Sequence, residues 1–479
     1  MEPLTRTLVH FSHALKFEDL SGEIVHQTKC LLLDYLGVTI AGTRTDSAQA
    51  VYRMLNDSYK LAPGPCTIIG TSARSFPERA ALANRTASHS VELDDTHQAG
   101  SIHLGAVMFS VAIALSEIQP EVDTEQFVAA IVAGYEVAAR LAMALQPKLH
   151  YELGFHPTAT CGVFGAAVTA GKLLDLSEDQ MLSSVGIAGS MAAGSLEFLS
   201  DGSWTKRLHP GLAAKNGILA AKLAAEGFRG PSSILEGRDG FLSAYSPDAK
   251  FHLVNQELGK TFEILHTSTK PHACCRYMQA PIDGLTELAI THDLHPEQIS
   301  RVEIAVLEAG WPLVCEPRQR KYSPSSIVDA QFSMPFAAAL ALSYRQAGLD
   351  QFTDENLKSA QLQSLMSKVV MTKDKRIEKN FPAEWATRVK VQLTNGDEFE
   401  KVVRFPKGDP ENPLSWQELT TKFQSLAMCV FPQSWCQEIV DSVSEMNHFT
   451  ALTTIWKLMA HPTPATAAFR RTAPAARGS

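Results

Sequence analysis

The sequence predicts a mainly α protein in which a smaller α/β segment sits between two helical stretches. Three observations carry this. From residue 104 to about 226 the chain is a succession of apolar runs of helical length, rich in Ala and Gly. Near 262 strand-like segments take over, at 262–265, 301–306, 388–393 and 398–405. The last two are joined through Asn395-Gly396, a strong hairpin signal. Helical patterning then returns from 415 to 460. The expected division is 1–261 helical, 262–405 α/β and 406–461 helical again. The Ala/Pro/Thr/Arg-rich stretch 462–479 is expected to be disordered.

Taken in order, residues 23–42 predict a helix, with Ile24, Cys30, Leu31, Leu32, Tyr35 and Leu36 forming a wide buried stripe. A second helix covers 46–60 and stops at Pro63-Gly64-Pro65. The apolar 67–70 reads as a short strand, and helix resumes over 77–92. The uncharged run 104–115 predicts a buried helix. Small residues at 129–134, 165–171 and 213–217 let helices approach closely. Glu136 and Arg140 stand four apart, the spacing of an ion pair on one helix face. No fixed-period repeat is evident, which argues against a solenoid.

The length of 479 residues exceeds one compact core, so two domains are expected. Hydrophobic content of 45% and charged content of 20% match a soluble globular enzyme. A net charge of −8 argues against general nucleic-acid binding and directs attention to local clusters of cations. Eight scattered cysteines without a CxxC pair suit a reducing compartment, the cytoplasm or an organellar matrix. Residues 1–18 lack the apolar core of a signal peptide, and no uninterrupted apolar run predicts a membrane span.

The stretch from His89 to His103 concentrates Glu92, Asp94, Asp95 and three histidines, His89, His97 and His103, directly before the buried run. Histidine is the usual proton carrier near neutrality, and a neighbouring carboxylate orients or charges it. Three further segments stand out. His156 precedes Pro157, which places it in extended backbone at a helix entrance. Lys206, Arg207 and His209 form a basic cluster expected just before a helix, suited to an anionic substrate. Lys270 to Tyr277 contains His272, the vicinal Cys274-Cys275 and Arg276 where the chain would cross between domains. There is no GxSxG, no HExxH, no GxGxxG after a strand and no GxxxxGK[ST], so those hydrolase and nucleotide classes receive no support.

Together these segments resemble the MmgE/PrpD family, whose members include 2-methylcitrate dehydratase, cis-aconitate decarboxylase and iminodisuccinate epimerase. The motifs that carry the resemblance are Asp94-Asp95-Thr96 with His103, Phe155-His156-Pro157, and Lys206 with His209 to Ala214. Leu235-Glu236-Gly237 with Gly240-Phe241-Leu242, Lys270 to Arg276, and Asp329-Ala330-Gln331-Phe332-Ser333 complete the set. The resemblance implies a large all-helical domain with an inserted smaller α/β lid domain, and a homodimer. It also implies a site between the domains for a small di- or tricarboxylate, and no cofactor or metal. Nucleic acid and membrane are not expected partners.

By the same resemblance His103, His156, Asp94 and Lys206 are catalytic, and Asp95, Thr96, Arg207, His209, Lys270 and Tyr322 bind substrate. Lys206 and Lys270 would hold carboxylates, His103 or His156 would move the proton alpha to a carboxylate, and Asp94 or Asp95 would orient a histidine. The implied function is that of a cofactor-independent lyase, decarboxylating or dehydrating, with epimerisation on the same scaffold as the alternative. Two positions depart from the pattern: Glu92 stands where some members carry Asp, and Gln279 where several carry His. Two readings of other classes compete. One is a metal-dependent hydrolase using Asp94, His97 and His103; the other is a protein that only binds a carboxylate.

Overall fold

The computed structural model describes residues 3–59, 64–446 and 451–460. The stretch 462–479, expected to be disordered, lies outside the described residues. The protein is mainly α, and its apolar residues gather into two large cores. The first is built from residues between Leu8 and Ile264 together with Leu419 to Met459. The second is built largely from residues between Ala273 and Val391.

In the first core the Gly22–Gly42 helix packs on Pro77–Ser88 and on Trp416–Ala427, so the end of the chain returns to its beginning. The helices Thr124–Leu145, Gly162–Leu173 and Thr205–Ala225 pack in succession. Their small residues set the spacing. A Cβ added to Gly165 would lie 2.5 Å from the Gly134 carbonyl oxygen and 2.3 Å from Met108 Cε. Thr124–Leu145 is long and apolar enough to cross a bilayer, with a mean hydropathy of 1.6, yet 94% of that window is buried inside the protein. It is the central core helix that the uninterrupted-run criterion passed over. Arg140 Nε donates to Glu136 Oε2 at 2.9 Å, the ion pair expected from the spacing, and both side chains are buried.

The second core covers one face of a four-stranded sheet ordered Val369–Thr372, Ile299–Ala305, Thr387–Leu393, Glu398–Val403. The first pair is parallel and the others antiparallel. The hairpin expected at Asn395-Gly396 is present, with Gly396 at φ 95°, a backbone state that glycine adopts without steric cost. The Gln279–Thr291 helix packs on the hairpin strands and on Met334–Tyr344. All eight cysteines are free, Cys274 and Cys275 buried among them.

Three expectations are corrected. The segment 262–265 is not a strand: Glu263–His266 is a 3-10 turn. The strand follows it at Thr267–Ser268 and pairs with Thr96–His97. The helix expected over 77–92 ends at Ser88, and within the following turn Glu92 adopts a left-handed φ of 57°. Lys206 to His209 lie inside the first turns of Thr205–Ala225 rather than before it, with Pro210 within the helix.

Gly165→Val tests the helix spacing. It is expected to force Gly162–Leu173 away from Thr124–Leu145 and to cost about 1–3 kcal/mol, read as a lowered thermal midpoint. An unchanged midpoint would show that the helices can move apart freely.

Candidate active site

The Pro77–Ser88 helix releases the chain at Ser88, and residues 89–97 fold back beneath it. His89 follows as the helix C-cap. Glu92 turns left-handed, a cost of about 1–3 kcal/mol that surrounding contacts must offset. Lys206 Nζ bonds both oxygens of its carboxylate, Oε2 at 2.6 Å. The Thr205–Ala225 helix brings Lys206 there by packing along Pro77–Ser88.

Asp94 is the centre of the cluster. His89 Nδ1 lies 2.6 Å from its Oδ2, Arg85 Nη1 donates to the same oxygen at 3.3 Å, and Lys270 Nζ stands 3.5 Å from Oδ1. His103 Nδ1 is 3.7 Å from Oδ2. All four partners except His103 are essentially removed from solvent. The two-residue ladder explains Lys270. Its antiparallel register pairs Thr96 with Ser268 and His97 with Thr267, and two steps further along each strand Asp94 and Lys270 face one another.

The histidines form a contiguous group. The His89 ring meets His103 edge-on at 4.9 Å and stacks on His156 at 5.9 Å. His156 Nδ1 lies 3.4 Å from His209 Nδ1. His156 occupies extended backbone, φ −96° and ψ 108°, ahead of the Pro157–Thr160 turn, as its proline neighbour requires. His103 Nδ1 donates to the Asp95 carbonyl at 2.6 Å with Thr96 Oγ1 at 3.2 Å, which leaves Nε2 as the ring's lone-pair nitrogen when neutral.

Burial, reinforced by the cations, holds these rings neutral. His89 is lowered to about 4 by burial and by Lys206 and Arg85, against the pull of Asp94. His209 falls to about 4 through burial and Lys206. His103 and His156 are held well below the ordinary range, burial again first. The carboxylates go the other way. Burial opposes ionisation of Glu92, but the charge of Lys206 outweighs it and brings Glu92 down to about 2. Asp94 likewise lies well below its usual value despite burial, because His89, His103 and Lys270 surround it. Arg85, Lys206 and Lys270 thus face the ionised Asp94 and Glu92, and three cationic side chains gather around the histidines.

A cavity of ≈ 480 Å³ adjoins this cluster. Two of its lining residues also touch the cluster: Phe332 lies beneath Lys206 Nζ at 4.9 Å, and the Phe198 ring packs at 6.3 Å from His156. Phe332 comes from the second body and Phe198 from the first. Gln331 ties the two together by donating to the carbonyls of Val91 and Ala273 at 3.1 and 3.0 Å.

Several residues assigned by resemblance stand elsewhere. Asp95 does not face a ligand: both carboxylate oxygens take the Gly105 N–H and Oδ2 takes the Tyr135 hydroxyl at 2.8 Å. Thr96 supports His103 rather than open space. Arg207 turns away to Ser47 Oγ at 3.2 Å. Tyr322 donates its hydroxyl to the Val369 carbonyl at 2.6 Å, bracing the sheet edge. Gln279 is fully buried and bonds the backbone of His272 and Cys274, so it shapes the loop after Lys270. Arg85 and His89 were absent from the assigned set. Arg85 sits in the last turn of the Pro77–Ser88 helix, where only the fold reveals that it is buried against Asp94.

The metal set Asp94, His97 and His103 is not assembled. Both His97 nitrogens are engaged elsewhere, Nε2 with Glu263 at 3.0 Å and Nδ1 with the Gly100 N–H at 3.1 Å. His89, Asp94 and His103 do bring ligand atoms within 4.8 Å of one another. A divalent cation there would share Asp94 with Arg85 and Lys270, an arrangement that mutual repulsion disfavours.

With this geometry in view the comparisons are decisive. Residues 6–254 match the MmgE/PrpD N-terminal domain and residues 272–446 the MmgE/PrpD C-terminal domain. The chain belongs to the MmgE/PrpD family. It is similar to a cis-aconitate decarboxylase-like protein of Aspergillus oryzae, 29% identical over 93% of this chain and 94% of the relative. A cis-aconitate decarboxylase of Aspergillus terreus is 26% identical over 96% of each chain. That of Homo sapiens is 25% identical over 97% of this chain and 96% of the relative. The boundary between the two matched domains, 254 to 272, falls at the Thr267–Ser268 strand that delivers Lys270.

The anchoring role of Asp95 has a pH signature. Burial, then the Asp94 charge, pushes Asp95 up to about 7, whereas an unfolded Asp titrates near about 3.9. The folded chain holds this proton more tightly, so the group's stabilising contribution is complete below about pH 4 and is lost as pH rises through about 7. Asp95→Asn keeps an oxygen for Tyr135 and Gly105. It is expected to lose less thermal stability than the wild type between about pH 5 and 8; an equal loss in both would refute the assignment.

Proposed function

We propose that this protein is a cofactor-independent lyase acting on a small tricarboxylate, by proton transfer at a carbon alpha to a carboxylate. Decarboxylation of cis-aconitate is the reading best supported. The observation that carries it is the buried imidazole group His89, His103 and His156 bracketed by Lys206 and Lys270. Relatives whose names state this activity align along nearly the whole chain.

The chemistry follows from the charges. Loss of carbon dioxide leaves an electron pair that spreads through the neighbouring double bond onto a carbon beside another carboxylate. Negative charge builds on that carboxylate, and cations held in a water-poor site stabilise it without reorganising. Lys270 and Lys206 are placed to do this, Lys206 by exchanging Glu92 for a substrate carboxylate. The carbon then takes a proton from the imidazole group, where His103 and His156 stand with Phe198 and Phe332 closing the apolar side.

Proton NMR in deuterated water tests the reading directly, with citrate, 2-methylcitrate, cis-aconitate and iminodisuccinate offered in turn. The expected result is a dicarboxylate product from cis-aconitate carrying one deuterium, with both lost in His156→Ala. No product and no exchange with any of the four would sink the proposal. Lys270→Met is expected to lower kcat/KM by about 10²-fold or more; a loss under threefold would remove Lys270 from substrate binding. Chelator is expected to leave the rate unchanged, whereas loss of activity restored by a divalent metal would favour metal-assisted hydrolysis instead.

A further inference from the structure

His89 has the surroundings of a working imidazole and no structural duty on one side. Its Nδ1 lies 2.6 Å from Asp94 Oδ2. Asp94 stays ionised and can only accept, so Nδ1 carries the hydrogen and the neutral ring keeps its lone pair on Nε2. That Nε2 is fully buried and has no hydrogen-bond partner. An unsatisfied buried acceptor costs about 1–3 kcal/mol, a cost characteristic of functional sites. Lys270 Nζ and Asp94 Oδ1 are likewise buried without a hydrogen-bond partner. Lys270 Nζ and Asp94 Oδ1 stand 3.5 Å apart as an ion pair, so the His89 Nε2 acceptor and the remaining hydrogens of Lys270 are what a ligand would complete.

We propose that His89 is a catalytic residue of this site, exchanging the proton with the substrate carbon through Nε2 while Asp94 holds Nδ1–H. The assignment rests on the carboxylate reading above and specifies which ring carries the proton. His103 is backed at Nδ1 by a backbone carbonyl, and His156 by another histidine. Only a carboxylate partner at 2.6 Å stabilises a full imidazolium as it forms.

The groups facing the ring set the order of events. Arg85, Lys206 and Lys270 repel a proton, while Asp94 and Glu92 attract one, and His103 and His156 flank the ring. In the free protein burial, reinforced by the cations, keeps the ring neutral. Substrate carboxylates neutralise Lys206 and Lys270, and the Asp94–His89 pair then takes a proton from water. When the carbon–carboxylate bond breaks, its electron pair forms a new double bond. The displaced pair of the old double bond takes the Nε2 proton at the carbon beside a carboxylate. Carbon dioxide and a dicarboxylate leave, and His89 returns to its neutral state.

Two measurements test this. In the first, kcat and KM for cis-aconitate are compared in the wild type, His89→Gln and His103→Gln. His89→Gln is expected to lose about 10²–10⁴-fold in kcat with KM within about threefold. A kcat within about tenfold of the wild type, or a loss confined to KM, would overturn the assignment. In the second, propane-1,2,3-tricarboxylate, which has no double bond to receive the electron pair, is titrated calorimetrically in buffers of different ionisation enthalpy. The wild type is expected to take up about one proton on binding, and His89→Gln close to none. Equal uptake in both would overturn the proposal, even if cis-aconitate proves not to be the substrate and the first measurement is silent. Should His89→Gln fail to fold, His89→Asn takes its place in both.

Discussion

One buried carboxylate organises this protein's interior. Asp94 holds the His89 ring and the Arg85 guanidinium, both from the end of the Pro77–Ser88 helix, and the Lys270 ammonium, from far along the chain, within 3.5 Å. None of these groups tolerates burial alone. An isolated charge in a low-dielectric interior costs several kcal/mol, and only close opposite charges and hydrogen bonds offset it. The cluster therefore stands or falls together. The Pro77–Ser88 helix end, the 89–97 turn and the Thr267–Ser268 strand must all be in place for it to form.

The same constraint sets the chemistry. Burial, reinforced by the neighbouring cations, keeps the histidines neutral. Glu92 supplies a provisional partner for Lys206 and is held in a left-handed backbone to do so. Strain of this kind persists where surrounding contacts over-determine it, and it gathers at functional sites.

The two bodies of the fold meet at this cluster because neither can complete it. The first contributes the histidines, Asp94, Arg85 and Lys206. The second contributes Phe332 and the Gln331 amide that clamps Val91, and the connecting strand contributes Lys270. The motif Asp329 to Ser333 thereby acquires a physical meaning. Asp329 binds Arg320, Gln331 bridges the bodies, Phe332 underlies Lys206 and Ser333 caps the following helix.

Periodicity and residue chemistry were enough to determine the helices, the Asn395-Gly396 hairpin, the extended backbone at His156 and the Glu136–Arg140 pair. Each of these depends on neighbours within a few positions. The motif set, through the family resemblance it carries, likewise pointed to His103, His156, Lys206 and Lys270. What the sequence could not decide was which polar groups are already satisfied. Asp95, Thr96, Arg207 and Tyr322 have the chemistry a ligand contact needs, and only the fold commits them to Tyr135 and Gly105, His103, Ser47 and Val369. Arg85 and His89 were left out of the assigned set for the opposite reason: their significance is burial against Asp94, a contact made by the turn that follows the Pro77–Ser88 helix. Local patterns determine elements, but the charge state of a site depends on burial and on partners hundreds of residues apart, which tertiary structure alone decides.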